Sequence, residues 1–332
     1  MTEPLSCSVN SPRPGRVGPH PRLIGGSTIA AIVTEEGLED RIVAFVDAGS
    51  IEVTPHDEMR LPELATHLRA GTTVYIAHPP RWLLQDVVRM AIKVRKRGWE
   101  ARPHIVARAL QSERALRAAL GELNAAGIDQ MLLIAGDATA PVGPFASTLE
   151  VLATGATTDC GFTTVAVAGH PEGHKLIGPT LLWDALRAKQ TFADATGTHV
   201  PLVTQFGFRP QAVLEWHRHC LERGITLPVH VGLAGPTPLP RLIRFAMQCG
   251  IGTSLHALAR STSALAGLVR VTSAPDEMLI GLVRGQEATT ATAIVKPHFY
   301  CFGGSIETAR WLKSVRERSF ALNDDGTRFT MT

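Results

Sequence analysis

Residues 130–137 read Gln130-Met131-Leu132-Leu133-Ile134-Ala135-Gly136-Asp137. The run from Gln130 to Ile134 is short, apolar and bounded by a glycine, which is how a fully buried strand appears in sequence. It follows a segment, Glu113 to Ala126, in which Leu116, Leu120 and Leu123 recur at steps of four and three, and Ala125-Ala126-Gly127 supplies a helix stop. It ends on an acid, Asp137. Helix, strand and a polar residue at the strand's carboxyl end make one turn of an α/β repeat.

The same unit recurs in both directions. Strand-like runs are read at Ser50 to Val53, Thr73 to Ile76, Ala101 to Val106, Thr163 to Val167, Pro201 to Thr204, Leu227 to Val231 and Ala293 to Phe302. With 130–134 they number eight, enough to close a (β/α)8 barrel. Between the second and third, Leu83, Leu84, Val87, Val88, Ala91 and Val94 form an apolar stripe, with Arg89, Lys93 and Lys96 off it. Another helix is predicted from Pro210 to Arg223, with Pro210 near its start and Gly224 just past its end. An open doubly wound sheet shares the alternation, but no G-x-G-x-x-G follows the first strand. The expected fold is a single (β/α)8 TIM barrel: a flexible N-terminal arm over 1–28, the barrel over 29–320 and a loose tail over 321–332.

Composition agrees with a large core. Hydrophobic residues are 45% and charged residues 19% of the 332, which argues against disorder over most of the chain. The 33 basic and 30 acidic residues nearly balance, with only two Tyr, so no basic aromatic surface for nucleic acid stands out. No run of about 18 apolar residues could span a bilayer, and residues 1–28 lack the apolar centre of a signal peptide. The five cysteines, Cys7, Cys160, Cys220, Cys249 and Cys301, form no C-x-x-C pair and fit reduced thiols. A cytoplasmic protein without nucleic-acid or membrane partners is expected, its oligomeric state left open.

A barrel of this kind places its working groups at the carboxyl ends of its strands. Glu52, His78, His104, Asp137, His170, His174 and Gln205 all fall at such ends or in the strands leading to them. Each has a plainer reading. A glutamate in a short strand usually faces solvent, and an aspartate after glycine can cap a helix. His170 and His174 are four apart like helical zinc ligands, but Pro171 and Gly173 lie between them and no H-E-x-x-H surrounds them, so no metal is expected. His217 and His219 are expected on the surface.

Taken together, Ile51-Glu52-Val53-Thr54-Pro55, Pro103-His104-Ile105, Gly136-Asp137, Val167-Ala168-Gly169-His170-Pro171-Glu172-Gly173-His174, Thr204-Gln205-Phe206-Gly207-Phe208 and Val295-Lys296-Pro297-His298-Phe299-Tyr300 occur in an order that resembles the methylenetetrahydrofolate reductase family. The resemblance runs from about Ser50 to about Arg318. It implies an oxidoreductase interconverting 5,10-methylenetetrahydrofolate and 5-methyltetrahydrofolate, with NADH or NADPH as hydride donor through FAD. By it, Glu52 matches the general acid, Asp137 an aspartate between pterin and flavin, and Gln205 a folate contact. His104, Gly136, Asp137, His170, His174 and Lys189 would hold the flavin.

The chain departs from the family's pattern at four places. Ala135 stands where an arginine is usual before Gly-Asp, His170 where a tyrosine is usual, Lys175 where a proline is common, and His56 where the first-strand motif has its second proline. A lost arginine removes a bidentate partner for a phosphate. The segment from Leu186 to His199 reads as a longer loop than usual, which leaves Lys189 loosely placed. Two other functions therefore stand beside the first: direct hydride transfer from the nicotinamide without flavin, and a non-catalytic folate-binding subunit.

Overall fold

The structure is a computed structural model that describes residues 37–249, 272–287, 294–324 and 326–332. Eight parallel strands close into a barrel: β1 (Ser50–Val53), β2 (Thr73–Ile76), β3 (Glu100–Val106), β4 (Gln130–Ile134), β5 (Thr164–Gly169), β6 (Leu202–Phe206), β7 (Val229–Ala234) and β8 (Ile294–Tyr300). Neighbours pair in chain order, and β8 pairs with β1 to complete the ring. The protein is a (β/α)8 barrel. The predicted N-terminal arm, 1–28, lies outside the described residues.

Strand periodicity divides the barrel into two environments. Ile51, Val53, Val74, Ile76, Ile105, Met131, Leu133, Val165, Val167, Val229, Val231 and Leu233 face outward into one buried apolar shell shared with the helices. Each such side chain contributes roughly 1.5–3 kcal/mol by leaving water. The helix Leu84–Arg95 supplies Val87, Val88, Met90, Ala91 and Val94 to that shell, the stripe its sequence predicts. Inside the ring the apolar contribution is small: Tyr75, Leu132, Ala166 and Val203, with Ile134 against them. The remaining interior is polar, and Ser50, Arg102, His104, His230 and His298 are all buried.

Predicted helix ends hold. Ser112 accepts from Ala115 N at 3.1 Å to cap Glu113–Ala125, and Gly127 beyond it has φ +73°. Pro210 opens the helix Pro210–Glu222, and Gly224, φ +72°, follows it.

Three expectations need correction. The segment 186–199 is no long loop, because the helix Pro179–Thr196 covers most of it. Residues 321–332 are not loose: Phe320–Leu322 pairs antiparallel with Phe329–Met331, and Phe329 stacks on Trp311 with ring centres 6.0 Å apart. His217 is buried, because it continues the stripe of Val213, Trp216 and Cys220 on its helix. A further helix, Leu38–Asp47, precedes β1 and buries Ile42, Phe45 and Val46. Among the described residues no helix is long and apolar enough to cross a membrane.

Candidate functional site

At the carboxyl ends of the strands a cleft of about 740 Å³ opens, within the range of small-molecule sites. Its wall brings together His104 from β3, Gly136 and Asp137 after β4, His170 and His174 after β5, Lys189 from the helix Pro179–Thr196, and Gln205 on β6. Seven of the eight residues to which the family resemblance gives a role thus meet in one place, while His78, after β2, is outside that wall. Glu52 is not in that wall. It joins the site from β1 through His104, whose Nε2 lies 3.6 Å from Glu52 Oε2.

The local backbone explains much of this placement. Gly136 turns the chain out of β4 with φ +89°, and a Cβ there would lie 2.4 Å from Val106 Cγ1. Only glycine takes that turn without strain. Between β6 and β7 the register shifts after Val203, so Thr204 and Gln205 form a bulge of the kind that re-aims a side chain. Thr204 holds the bulge, its hydroxyl accepting from Gly232 N at 2.8 Å while its carbonyl accepts from Tyr300 Oη at 2.9 Å.

Burial sets the charge state of the inner groups. The Glu52 carboxyl is raised from 4.5 to about 8, first by loss of water and second by the Asp57 carboxylate. Asp57 is held in turn by the Ser305 hydroxyl at 2.7 Å and by the Thr54 N–H and hydroxyl, both at 2.9 Å. His104 is lowered to about 3, by burial and then by His78. At neutral pH the contact is therefore no ion pair: a protonated carboxyl faces a neutral imidazole. His104 Nε2 has no hydrogen-bond partner. When His104 carries its proton on Nδ1, Nε2 offers a lone pair toward the carboxyl proton.

On the opposite wall, Lys189 is buried and donates to Ala168 O at 3.0 Å. Burial lowers its ammonium to about 8. His170 is held down to about 4 by burial, Lys189 and His174, and its ring meets that of His174 edge-on at 5.2 Å. His174 is lowered by burial, an effect partly opposed by the Asp137 carboxylate. Asp137 itself is exposed at the cleft. Among the described residues no three His, Cys, Asp or Glu side chains come together to hold a metal ion.

Sequence reasoning missed Arg108, which follows β3 and lines the same cleft. Its guanidinium donates to Ala138 O at 2.8 Å, Ala146 O at 2.9 Å and Gly136 O at 3.3 Å, pinning the loop that carries Asp137. Tyr300, from the end of β8, was also missed as a lining residue, although its motif was read. Nothing in the spacing of either residue marks it.

The fold and the cleft define a (β/α)8 barrel with a ligand-sized site at the C-terminal face of its strands. No family model matches the chain. Three solved structures that resemble it are substituted forms of the tryptophan synthase α-subunit from the hyperthermophile Pyrococcus furiosus. They are 11%, 12% and 13% identical, with TM-scores of 0.43, 0.45 and 0.46. The matches cover 82%, 81% and 81% of this chain and 91%, 95% and 96% of those chains. Likeness at this level says nothing about activity.

Proposed function

We propose that this protein is a cytoplasmic oxidoreductase that interconverts 5,10-methylenetetrahydrofolate and 5-methyltetrahydrofolate, with NADH or NADPH as hydride donor and FAD as the intermediary. The observation that carries the reading is the Glu52 carboxyl, kept protonated to about pH 8 beside a neutral His104 at the edge of the cleft. Opening the imidazolidine ring of the folate to an iminium needs a proton on the departing nitrogen. A carboxyl still protonated at neutral pH supplies it, and a neutral His104 beside it leaves the proton on the carboxyl. The exposed Asp137 carboxylate accepts from the amino-pyrimidinone edge of the pterin, and the Gln205 amide answers both donors and acceptors there.

The residues of the opposite wall fit a flavin dinucleotide. Lys189 and Lys175 bring positive charge to a cleft wide enough for a drug-sized ligand, as an anionic diphosphate requires. When bound, FAD accepts hydride from the nicotinamide and passes it to the folate. The chain's own part is to hold that group with His170, His174 and Lys189, to keep Gly136 out of its way, and to shelter the reaction from water. The second reading, direct hydride transfer without flavin, is favoured by one observation. Arg108 directs its guanidinium at three backbone carbonyls, so it does not restore the phosphate partner missing at Ala135.

An absorbance spectrum of the purified protein separates the two. Flavin bands that bleach with NADH or NADPH and return on adding methylenetetrahydrofolate support the flavin route. Consumption of nicotinamide that needs the folate but no flavin supports the direct one. Absence of any folate-dependent turnover in the presence of added FAD overturns both and leaves a binding protein. Asp137→Ala is expected to weaken folate binding roughly 10- to 150-fold, the loss of about 1.5–3 kcal/mol for a hydrogen bond to a charged group. Isothermal titration with folate checks this, and an unchanged Kd removes Asp137 from the pterin site.

A further inference from the structure

The end of the barrel remote from the cleft carries a second concentration of polar side chains. Thr73, Gln130 and Thr164 are the first residues of β2, β4 and β5 and face inward at the amino-terminal mouth. Lys296 on β8 stands opposite His230 on β7, and Tyr75 opposite Arg102 on the neighbouring pair β2 and β3. His199, exposed, lies just before β6 and bridges to Thr164.

Positive charge here is not balanced. Arg102 is 5% exposed, yet its guanidinium donates only to neutral groups, to Tyr75 Oη at 2.6 Å and to Gln130 Oε1, and its Nε has no partner. Among the described residues the Lys296 ammonium reaches only the Thr73 hydroxyl, at 3.5 Å. Among the described residues neither cation has an ion-pair partner. The two acids next in sequence are engaged elsewhere: Glu100 pairs with Arg95, and Asp129 accepts from Thr163. The electrostatics agree with the contacts. Burial and then Arg102 push the Lys296 ammonium down to about 8, and His230 and His199 are depressed first by burial and then by Lys296 and Arg102. No acid opposes any of these shifts.

A buried guanidinium is always charged, and leaving it without a counter-charge is unfavourable. The polar ring cannot be explained as packing, because a structural barrel fills this layer with branched apolar side chains. We infer that the amino-terminal mouth of the barrel binds a small oxyanion, a phosphate group in particular, between Lys296 and Arg102. The Thr73 hydroxyl and the neutral imidazoles of His230 and His199 supply further donors. Three features set the site apart from the cleft: it lies at the other end of the strands, no carboxylate among the described residues pairs with its two cations, and it uses none of the residues assigned to folate or flavin.

The test is a thermal melt of the whole chain with increasing inorganic phosphate, ionic strength being held constant with sodium chloride. A saturable rise in Tm of roughly 2–5 °C is expected for the unaltered protein. Lys296→Met is expected to abolish that rise while melting no lower than the parent in chloride, because it removes a like charge from beside Arg102. His199→Ala, at the exposed rim, is expected to shift the phosphate midpoint to higher concentration, and it serves if Lys296→Met folds poorly. Glycerol 3-phosphate run alongside identifies the source: whichever compound acts at lower concentration marks a free oxyanion or the end of a phosphomonoester. No saturable rise in the parent overturns the inference. So does a rise that survives Lys296→Met but disappears in Lys189→Met, since that places the anion in the cleft.

Discussion

Glu52→Gln is expected to lower folate turnover about 10²- to 10⁴-fold, the usual contribution of a positioned general acid. The amide keeps the size of the side chain and removes the proton that the proposed acid role requires. Reduction of a bound flavin by NADH or NADPH needs no such proton from Glu52 and is expected to continue, so the two half-reactions should separate in a stopped-flow experiment. In the unaltered protein kcat/KM should be flat below about pH 8 and fall above it, as the Glu52 carboxyl ionises. Full folate turnover in the variant would remove Glu52 from the acid role, whatever the flavin does.

The same substitution has a stability signature that does not depend on activity. The folded protein keeps a proton on Glu52 up to about pH 8, whereas the unfolded chain releases it near 4.5. Between those values the native state binds more protons, so the stability this group contributes falls as pH rises. His104 runs the other way. Its folded value, about 3, lies below the ordinary 6.5, so its contribution is complete above 6.5 and is lost as pH falls toward 3. Glu52→Gln removes only the first slope. The variant should therefore gain Tm relative to the parent as pH rises through the window, with the gain levelling above about 8. An offset independent of pH would mean that the carboxyl is not held protonated.

How much of this was legible in the sequence depends on what each residue faces. The strands were readable because outward residues such as Val165, Val167, Val229 and Val231 must all be apolar to fill the shell under the helices. The helix Leu84–Arg95 was readable for the same reason. Pro179–Thr196 was not. Only Leu186 and Lys189 on it are buried, and the second is a cation lining the cleft, so its apolar period is weak. The hairpin formed by Phe320–Leu322 and Phe329–Met331 has strands too short to alternate visibly, and aromatic contacts with Trp311 hold it.

The site was legible in its types and only partly in its geometry. Strand-end position located His104, Asp137, His170, His174 and Gln205 correctly on one face, because barrel topology alone forces those ends together. The contact between Glu52 and His104 joins β1 to β3 across the interior, and no spacing along the chain encodes it. Arg108 was invisible for a related reason: its partners, Gly136, Ala138 and Ala146, are backbone carbonyls 28, 30 and 38 residues away, and carbonyls have no sequence signature.

Gly136→Ala is expected to destabilise the protein by about 2–5 kcal/mol, combining roughly 1–2 for a left-handed backbone at a residue with a Cβ and roughly 1–3 for overpacking. Two observations point to it independently: the φ of +89° and the 2.4 Å approach of the added Cβ to Val106 Cγ1. Val106→Ala in the same chain removes the atom that clashes, so the double variant should recover the overpacking part and keep the backbone part. Gly121→Ala is the control. Gly121 lies inside the helix Glu113–Ala125 with nothing within 4 Å of an added Cβ, and the change should stabilise by about 0.5–1 kcal/mol. Urea unfolding of the parent and the three variants reads all of these differences, and equal midpoints for Gly136→Ala and the parent would show that the turn after β4 tolerates a side chain. The functional consequence follows from place. Gly136 immediately precedes Asp137, and its carbonyl is one of the three that Arg108 holds. Movement of this turn to admit a methyl group therefore displaces the carboxylate assigned to the pterin, and folate affinity should fall in Gly136→Ala even under conditions where the variant is fully folded.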